Sequence, residues 1–201
     1  MKAQILTIAT IFTLALGTVT STQAAVKYNN DEVSTTLTNI SHINKIEVYG
    51  NVELFVSDGT ADQVKVYNKY YAENALVQSK DGVLRISSYN TKKLVVWVTA
   101  NDLRSITAND NAEVKSFGNL SKIDLDVTLN NNASAKLNLD AYKANITVND
   151  RAKADLSGNV TDYSITHDQS ATVNQSNVVA ANIISRVTNV IKANRPELAV
   201  L

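Results

Sequence analysis

Four stretches of this chain are variants of one line: ITANDNAEV (residues 106–114), VTLNNNASA (127–135), ITVNDRAKA (146–154) and ITHDQSATV (165–173), restarting after 21, 19 and 19 residues. A unit of about twenty residues cannot bury its own apolar face, so a repeat of this period reads as coils stacked on one another. Within each copy the residues alternate as in a strand. The first column, Ile106, Val127, Ile146 and Ile165, is branched and apolar and predicts an internal ladder at the strand spacing. The second, Thr107, Thr128, Thr147 and Thr166, falls outside, and the third, Ala108, Leu129, Val148 and His167, turns in again. A polar corner follows in every copy: Asn109-Asp110-Asn111, Asn130-Asn131-Asn132, Asn149-Asp150-Arg151 and Asp168-Gln169-Ser170. Asn and Asp tolerate a left-handed backbone and bond to neighbouring main-chain groups, so these corners read as a structural amide ladder. Past the corner stand Ala112, Ala133, Ala152 and Ala171, the small residues a narrow interior requires. Val114, Ala135, Ala154 and Val173 continue the inner face.

Working outward, the return segments supply a third inner row, read as Ile123 with Leu125, Tyr142 with Ala144, and Tyr163. Upstream, INKIEVYGNVELFVSDG (43–59) alternates in the same way; laid on the repeat, Ile46 matches Ile106, Val52 matches Ala112 and Leu54 matches Val114. KDGVLRIS (80–87) is a turn leading into a strand, and LVVWVTANDLRSIT (94–107) is a strongly apolar strand whose Trp97 reads as core or a buried edge contact instead of a ligand shelf. Counting Ile46, Val64, Leu84, Ile106, Val127, Ile146, Ile165 and Ile184 as coil starts gives an all-β parallel solenoid of about eight coils. Its domain runs from 43 to 201, with the regular coils in 106–184 and a lead-in or cap over 25–42. Pro196, the only proline, is placed to block an open edge of the last coil.

Residues 1–24 read as a secretory signal peptide: Lys2, an apolar run from Ile5 to Val19, and small residues at Thr22 and Ala24. The run is short of the ~20 residues a bilayer span needs, and no later run is longer, so no integral membrane segment is expected after its removal. The chain is thus expected to be secreted, periplasmic or at the cell surface. It has no cysteine, which excludes disulfides and a cysteine-linked lipid. Nineteen basic and nineteen acidic residues are mixed along the chain without a basic stripe, so no nucleic-acid partner is expected.

The succession INKIEVYGNVELFVSDG, KDGVLRIS, LVVWVTANDLRSIT and then the repeated coils resembles the head GIN domain family, labelled autotransporter adhesins and found in exported bacterial proteins; the resemblance covers about 43–184. It implies a single-stranded, right-handed parallel β-helix with an adhesive or carbohydrate-related role, and it brings no set of catalytic or binding residues. The chain departs from the family at its corners, using Asn-Asp-Asn where family coils often turn on Ser-Gly or Gly-Asp.

No cofactor is expected. His42 and His167 are the only histidines and lie far apart, and Asn131 interrupts the corner carboxylates Asp110 and Asp150, so no metal site is expected. No nucleophile elbow is present. The enzymatic alternative is a polysaccharide-cleaving β-helix using Asp124, Asp126 and Asp155 with Lys136, Lys143 or Lys153 nearby. These charges alternate in sign over different outer columns, as on a solvated face, and the chain reads as a non-enzymatic binder with no catalytic residue. For Tyr67, Tyr70 and Tyr71 two readings stand: an exposed platform for a sugar, or packing over the coil end. The partners this leaves are a glycan, a cell-surface or matrix component, or further copies of the chain in a self-assembling structure.

Overall fold

A computed structural model describes residues 34–37, 40, 42–67 and 75–188. The stretch expected to be a signal peptide, most of the lead-in, Tyr70, Tyr71 and Pro196 lie outside the described residues. The protein is all-β, with thirteen strands and no helix among the described residues. They are β1 (Ser34–Leu37), β2 (Lys45–Gly50), β3 (Val52–Asp58), β4 (Gln63–Tyr67), β5 (Ala75–Lys80), β6 (Val83–Ser88), β7 (Leu94–Ala100), β8 (Ser105–Ala108), β9 (Glu113–Ser116), β10 (Leu120–Leu129), β11 (Ser134–Val148), β12 (Lys153–Asp168) and β13 (Thr172–Thr188). All belong to one sheet, which curls into a half-barrel.

The apolar column is continuous. Leu84, Ile46, Ile106, Val127, Ile146 and Ile165 pair in that spatial order through parallel β6, β2, β8, β10, β11 and β12, and all six are buried. A second ladder carries Val96, Leu54, Val114, Ala135 and Ala154 from β7 through β3 and β9 to β11 and β12. The matches of Ile46 to Ile106 and of Leu54 to Val114 are therefore direct pairings. Thr107, Thr128, Thr147 and Thr166 stand in register beside the first column. Ala112, Ala133 and Ala152 are fully buried, and Ala171 packs against the same core.

The corners use the chemistry expected of them. Asp110, Asn131 and Asp150 have φ of 61°, 61° and 56°, so Asp and Asn occupy the left-handed position that glycine often fills. Amides bridge the coils: Asn149 Nδ2 donates to Asn130 Oδ1 and Asn130 Nδ2 to Asn109 Oδ1, both at 2.8 Å, and Asn109 Nδ2 donates to the Val48 carbonyl at 3.3 Å.

Four expectations are corrected. Coils do not stack in chain order: β2 lies between β6 and β8, so Leu84 is outermost, although it follows Ile46 in the chain. Val64 starts no coil, because β4 is antiparallel to β7 and sets Val64 opposite Val98; a count of eight successive coils does not hold. Ile123 and Tyr142 point outward, because the register skips them at a corner and only Leu125, Ala144 and Tyr163 face in. Ile184 is exposed beside Ser164, and Ser185 takes its place opposite Ile165. A bulge where β13 passes Asp155 and Ser157 inserts the extra residue, and a one-residue slip moves side chains to the other face.

Tyr163 is buried with its hydroxyl unpartnered among the described residues, and desolvation pushes it up to about 12 from an ordinary 10.0. The folded state thus holds the proton more tightly than the unfolded one. That contribution is complete below pH 10 and is lost as pH rises through about 12, amounting to about 2–3 kcal/mol. Tyr163→Phe is expected to raise stability at pH 7 by about 1 kcal/mol and to flatten the alkaline fall, both read by urea unfolding across pH. A variant less stable at neutral pH would show that the hydroxyl has a partner.

Candidate functional site

Alternation places Glu53, Phe55 and Ser57 of β3 and Val95, Trp97 and Thr99 of β7 on the outer face, since Val52, Leu54, Val56, Leu94, Val96 and Val98 face in. Parallel pairing sets Phe55 directly beside Trp97, and their rings stack with centroids 4.7 Å apart at 22°. Trp97 is therefore not core, as the apolar run around it suggested. β4, antiparallel on the other side of β7, brings Tyr67 edge-on to Trp97 at 6.4 Å, and Phe117, just past β9, closes the group at 5.3 Å with its ring exposed. Of the expected tyrosine platform, Tyr67 belongs to this cluster, while Tyr70 and Tyr71 are not described. Sequence reading missed Phe55 and Phe117; the outward parity of Phe55 within VELFVSD was the available signal.

Charges border the rings. Lys115, paired with Phe55 in register, holds its ammonium 5.7 Å from the Phe55 ring, bonds to Glu53 and lies 3.5 Å from Glu113. Lys93 contacts Glu113 at 2.5 Å. The bond to Glu53 raises the Lys115 ammonium above the usual lysine value, and the bond from Lys93 holds the Glu113 carboxyl below the ordinary glutamate value. Both groups stay charged around neutral pH, giving an aromatic strip with a fixed border of opposite charges.

A concavity lies elsewhere, an open trough of about 930 Å³ along the corners, lined by Asp110, Asn131, Asp150 and Arg151 among others. Its carboxylates already serve the fold. Asp110 Oδ2 accepts from the Gly50 amide at 3.2 Å and Asp150 Oδ2 from the Asn131 amide at 3.0 Å, so the trough is a by-product of stacked corners. Among the described residues no three His, Cys, Asp or Glu side chains gather as a metal centre would require.

Asp155 does not converge with the other two carboxylates of the polysaccharide-cleaving alternative. Asp124 and Asp126 lie in the ladder of β2, whereas Asp155 lies in the ladder of β3. Asp126 accepts from Asn145 at 2.8 Å, and Asp155 faces Lys136 at 3.6 Å and accepts from Asn174 at 2.9 Å. Acid and base need a common cleft with their carboxyls roughly 5–9.5 Å apart; Asp155 is on another face, and Asp124 and Asp126, two residues apart on one side of β10, are both exposed.

Residues 42–189 match the profile of a family described as "Putative auto-transporter adhesin, head GIN domain". The fold is similar to a crystal structure of a putative adhesin from Bacteroides fragilis, 14% identical, with a TM-score of 0.51 over 80% of this chain and 98% of that one. It is also similar to a putative adhesin from Parabacteroides distasonis, 18% identical, with a TM-score of 0.53 over 80% of each chain. No curated protein matches the chain.

Proposed function

Because the chain belongs to the head GIN domain family of auto-transporter adhesins, we propose that it is an exported, non-enzymatic surface protein. In this reading it holds glycan chains against the aromatic strip of Tyr67, Trp97, Phe55 and Phe117; Tyr70 and Tyr71 lie outside the described residues. The stack that carries the strip is a right-handed parallel β-solenoid, a reading supported by the in-register parallel pairing of β8 and β10–β13 at near-constant sequence offset.

The observation that carries the proposal is the outward stack of Trp97 with Phe55 and Phe117. Phe117 is exposed, and Phe55, Trp97 and Tyr67 stand half-buried beside it on the outer face instead of in the core; exposed apolar groups gathered in this way mark interaction surfaces. The exposed Phe117 ring beside the Phe55–Trp97 stack offers apolar surface to the faces of sugars, and the flanking Lys93, Lys115, Glu53 and Glu113 offer donors and acceptors to their hydroxyls. The division of Asp124, Asp126 and Asp155 between two faces supports a binder over a polysaccharide-cleaving enzyme. No helix among the described residues is long and apolar enough to cross a membrane.

Trp97→Ala and Phe117→Ala are each expected to weaken retention on a glycan array and on insoluble polysaccharides about thirtyfold, roughly 2 kcal/mol, with thermal stability little changed for Phe117→Ala. The reading is wrong if no glycan is retained, if both variants bind as the parent does, or if the protein releases reducing ends from the polysaccharides.

A further inference from the structure

The two ends of the stack are finished differently. At one end the parallel strands are covered by antiparallel ones: β5 pairs with β6, β4 with β7, and the four-residue β1 with β4. Short outer strands of this kind are how sheets blunt their edges. At the other end β13 pairs only with β12 among the described residues, and its 17 residues leave an open edge roughly 55 Å long at the rise per residue of a strand.

The side chains of this edge differ from those of the coils before it. β12 carries Lys153, Asp155, Asp162 and Asp168, and β11 carries Lys136, Asp140 and Lys143, whereas β13 carries a single charge, Arg186. Val179, Ile183, Ile184 and Val187 are each more than half exposed. Ile183 and Val187 stand opposite Tyr163 and His167, in the inward columns, where a further layer would cover them. The Gln175 side-chain carbonyl is buried in this coil without a donor among the described residues. A long edge with a single charge, no proline and, among the described residues, no covering strand is a template for pairing with another chain.

We propose that β13 is a homodimer interface, with two copies meeting open end to open end. The covered end has no comparable edge to offer, so head-to-tail stacking into a filament is disfavoured and the association closes at two. A twofold axis reverses strand direction, and placing it near Ala180 sets Thr172–Gln175 of one copy against Ser185–Thr188 of the other. Val173 then faces Val187, and Arg186 faces Asn174 instead of a second arginine. The two inner faces join into one core, and the free N–H and C=O groups of both edges find partners. This surface lies at the opposite end of the stack from the aromatic strip, so the pair presents two strips outward and the proposal is independent of glycan binding.

The full chain, purified from a host that exports it, is to be followed by sedimentation equilibrium and by amide hydrogen exchange across 172–188. The expected result is a species of twice the chain mass with slow exchange along β13. Val187→Lys and Ile183→Lys each bury a charge only in the pair, and each is expected to raise the dissociation constant at least about tenfold while the circular dichroism spectrum stays unchanged. A monomer at high concentration with fast-exchanging β13 overturns the proposal. So does a monomer whose β13 is protected, which would mean that the chain's own residues 189–201 cover the edge, and so does growth beyond two copies. A dimer that both variants leave intact also overturns it, since the contact would then lie elsewhere.

Discussion

Gly158→Ala is expected to destabilise the protein by about 3 kcal/mol or more. Gly158 sits within β12 at φ 107°, paired with Leu139 of β11 on one side and Val178 of β13 on the other. A β-carbon there would lie 2.0 Å from the Leu139 carbonyl oxygen and 2.8 Å from the Leu139 amide nitrogen. Both are backbone atoms held in the ladder, so relief requires pulling two coils apart where strand pairing is longest. Gly118 is the control: its φ is 81° but nothing lies within 4 Å of an added β-carbon. Gly118→Asn is expected to cost less than about 1 kcal/mol, since asparagine tolerates the left-handed region. Urea unfolding of the two variants separates strain from collision, and equal costs would mean that the approach of β11 to Gly158 is looser than described.

Asp58→Ala is expected to cost about 3–5 kcal/mol through the cation it leaves behind. The Lys122 ammonium is 6% exposed and lies 2.5 Å from Asp58 Oδ1, an approach whose attraction is Coulombic rather than that of an aligned hydrogen bond. Its other partners are the carbonyls of Ala100 at 3.4 Å and Asn101 at 3.2 Å, which do not neutralise its charge. The same carboxylate accepts from the Ser121 amide at 2.5 Å, so its loss also frees a backbone donor. The reverse change is milder. Lys122→Met leaves Asp58, which is 28% exposed, in reach of water and fills the buried stem position with an apolar chain, for an expected cost near 1 kcal/mol. A double-mutant cycle read by chemical unfolding measures the asymmetry, and equal single costs would contradict it.

The pair also illustrates what sequence patterns do not carry. Asp58 and Lys122 are joined because the end of β3 and the start of β10, which do not pair as strands, come together where the sheet curls, and nothing in SDG or LSKID announces that. The aromatic strip has the same origin. Phe55 and Trp97 come from two strands and Phe117 from just past a third, all separated in the chain, and only the register of β3 with β7 and β9 lays them side by side. The apolar run around Trp97 looked like core because its inward neighbours Val96 and Val98 are core. Tyr67 was legible as an aromatic near a strand end, but its role as a wall of the Trp97 strip depends on antiparallel pairing with β7.

Local chemistry, repeated at a fixed interval, is what the sequence by itself determined: which residues face in, where the corners fall, and that Asn and Asp carry the left-handed turns. These follow from alternation and backbone sterics, which act within a few residues. Tertiary structure alone decided that the coil of β6 and β7 lies outside that of β2 and β3, and that β4 and β5 run antiparallel as covers. It also decided that the bulge against β12 turns Ile184 out. Each of these is a choice of partner edge. A strand offers the same hydrogen-bonding groups on both edges, so stacking order is settled by the packing of whole coils and not by the residues of any one of them.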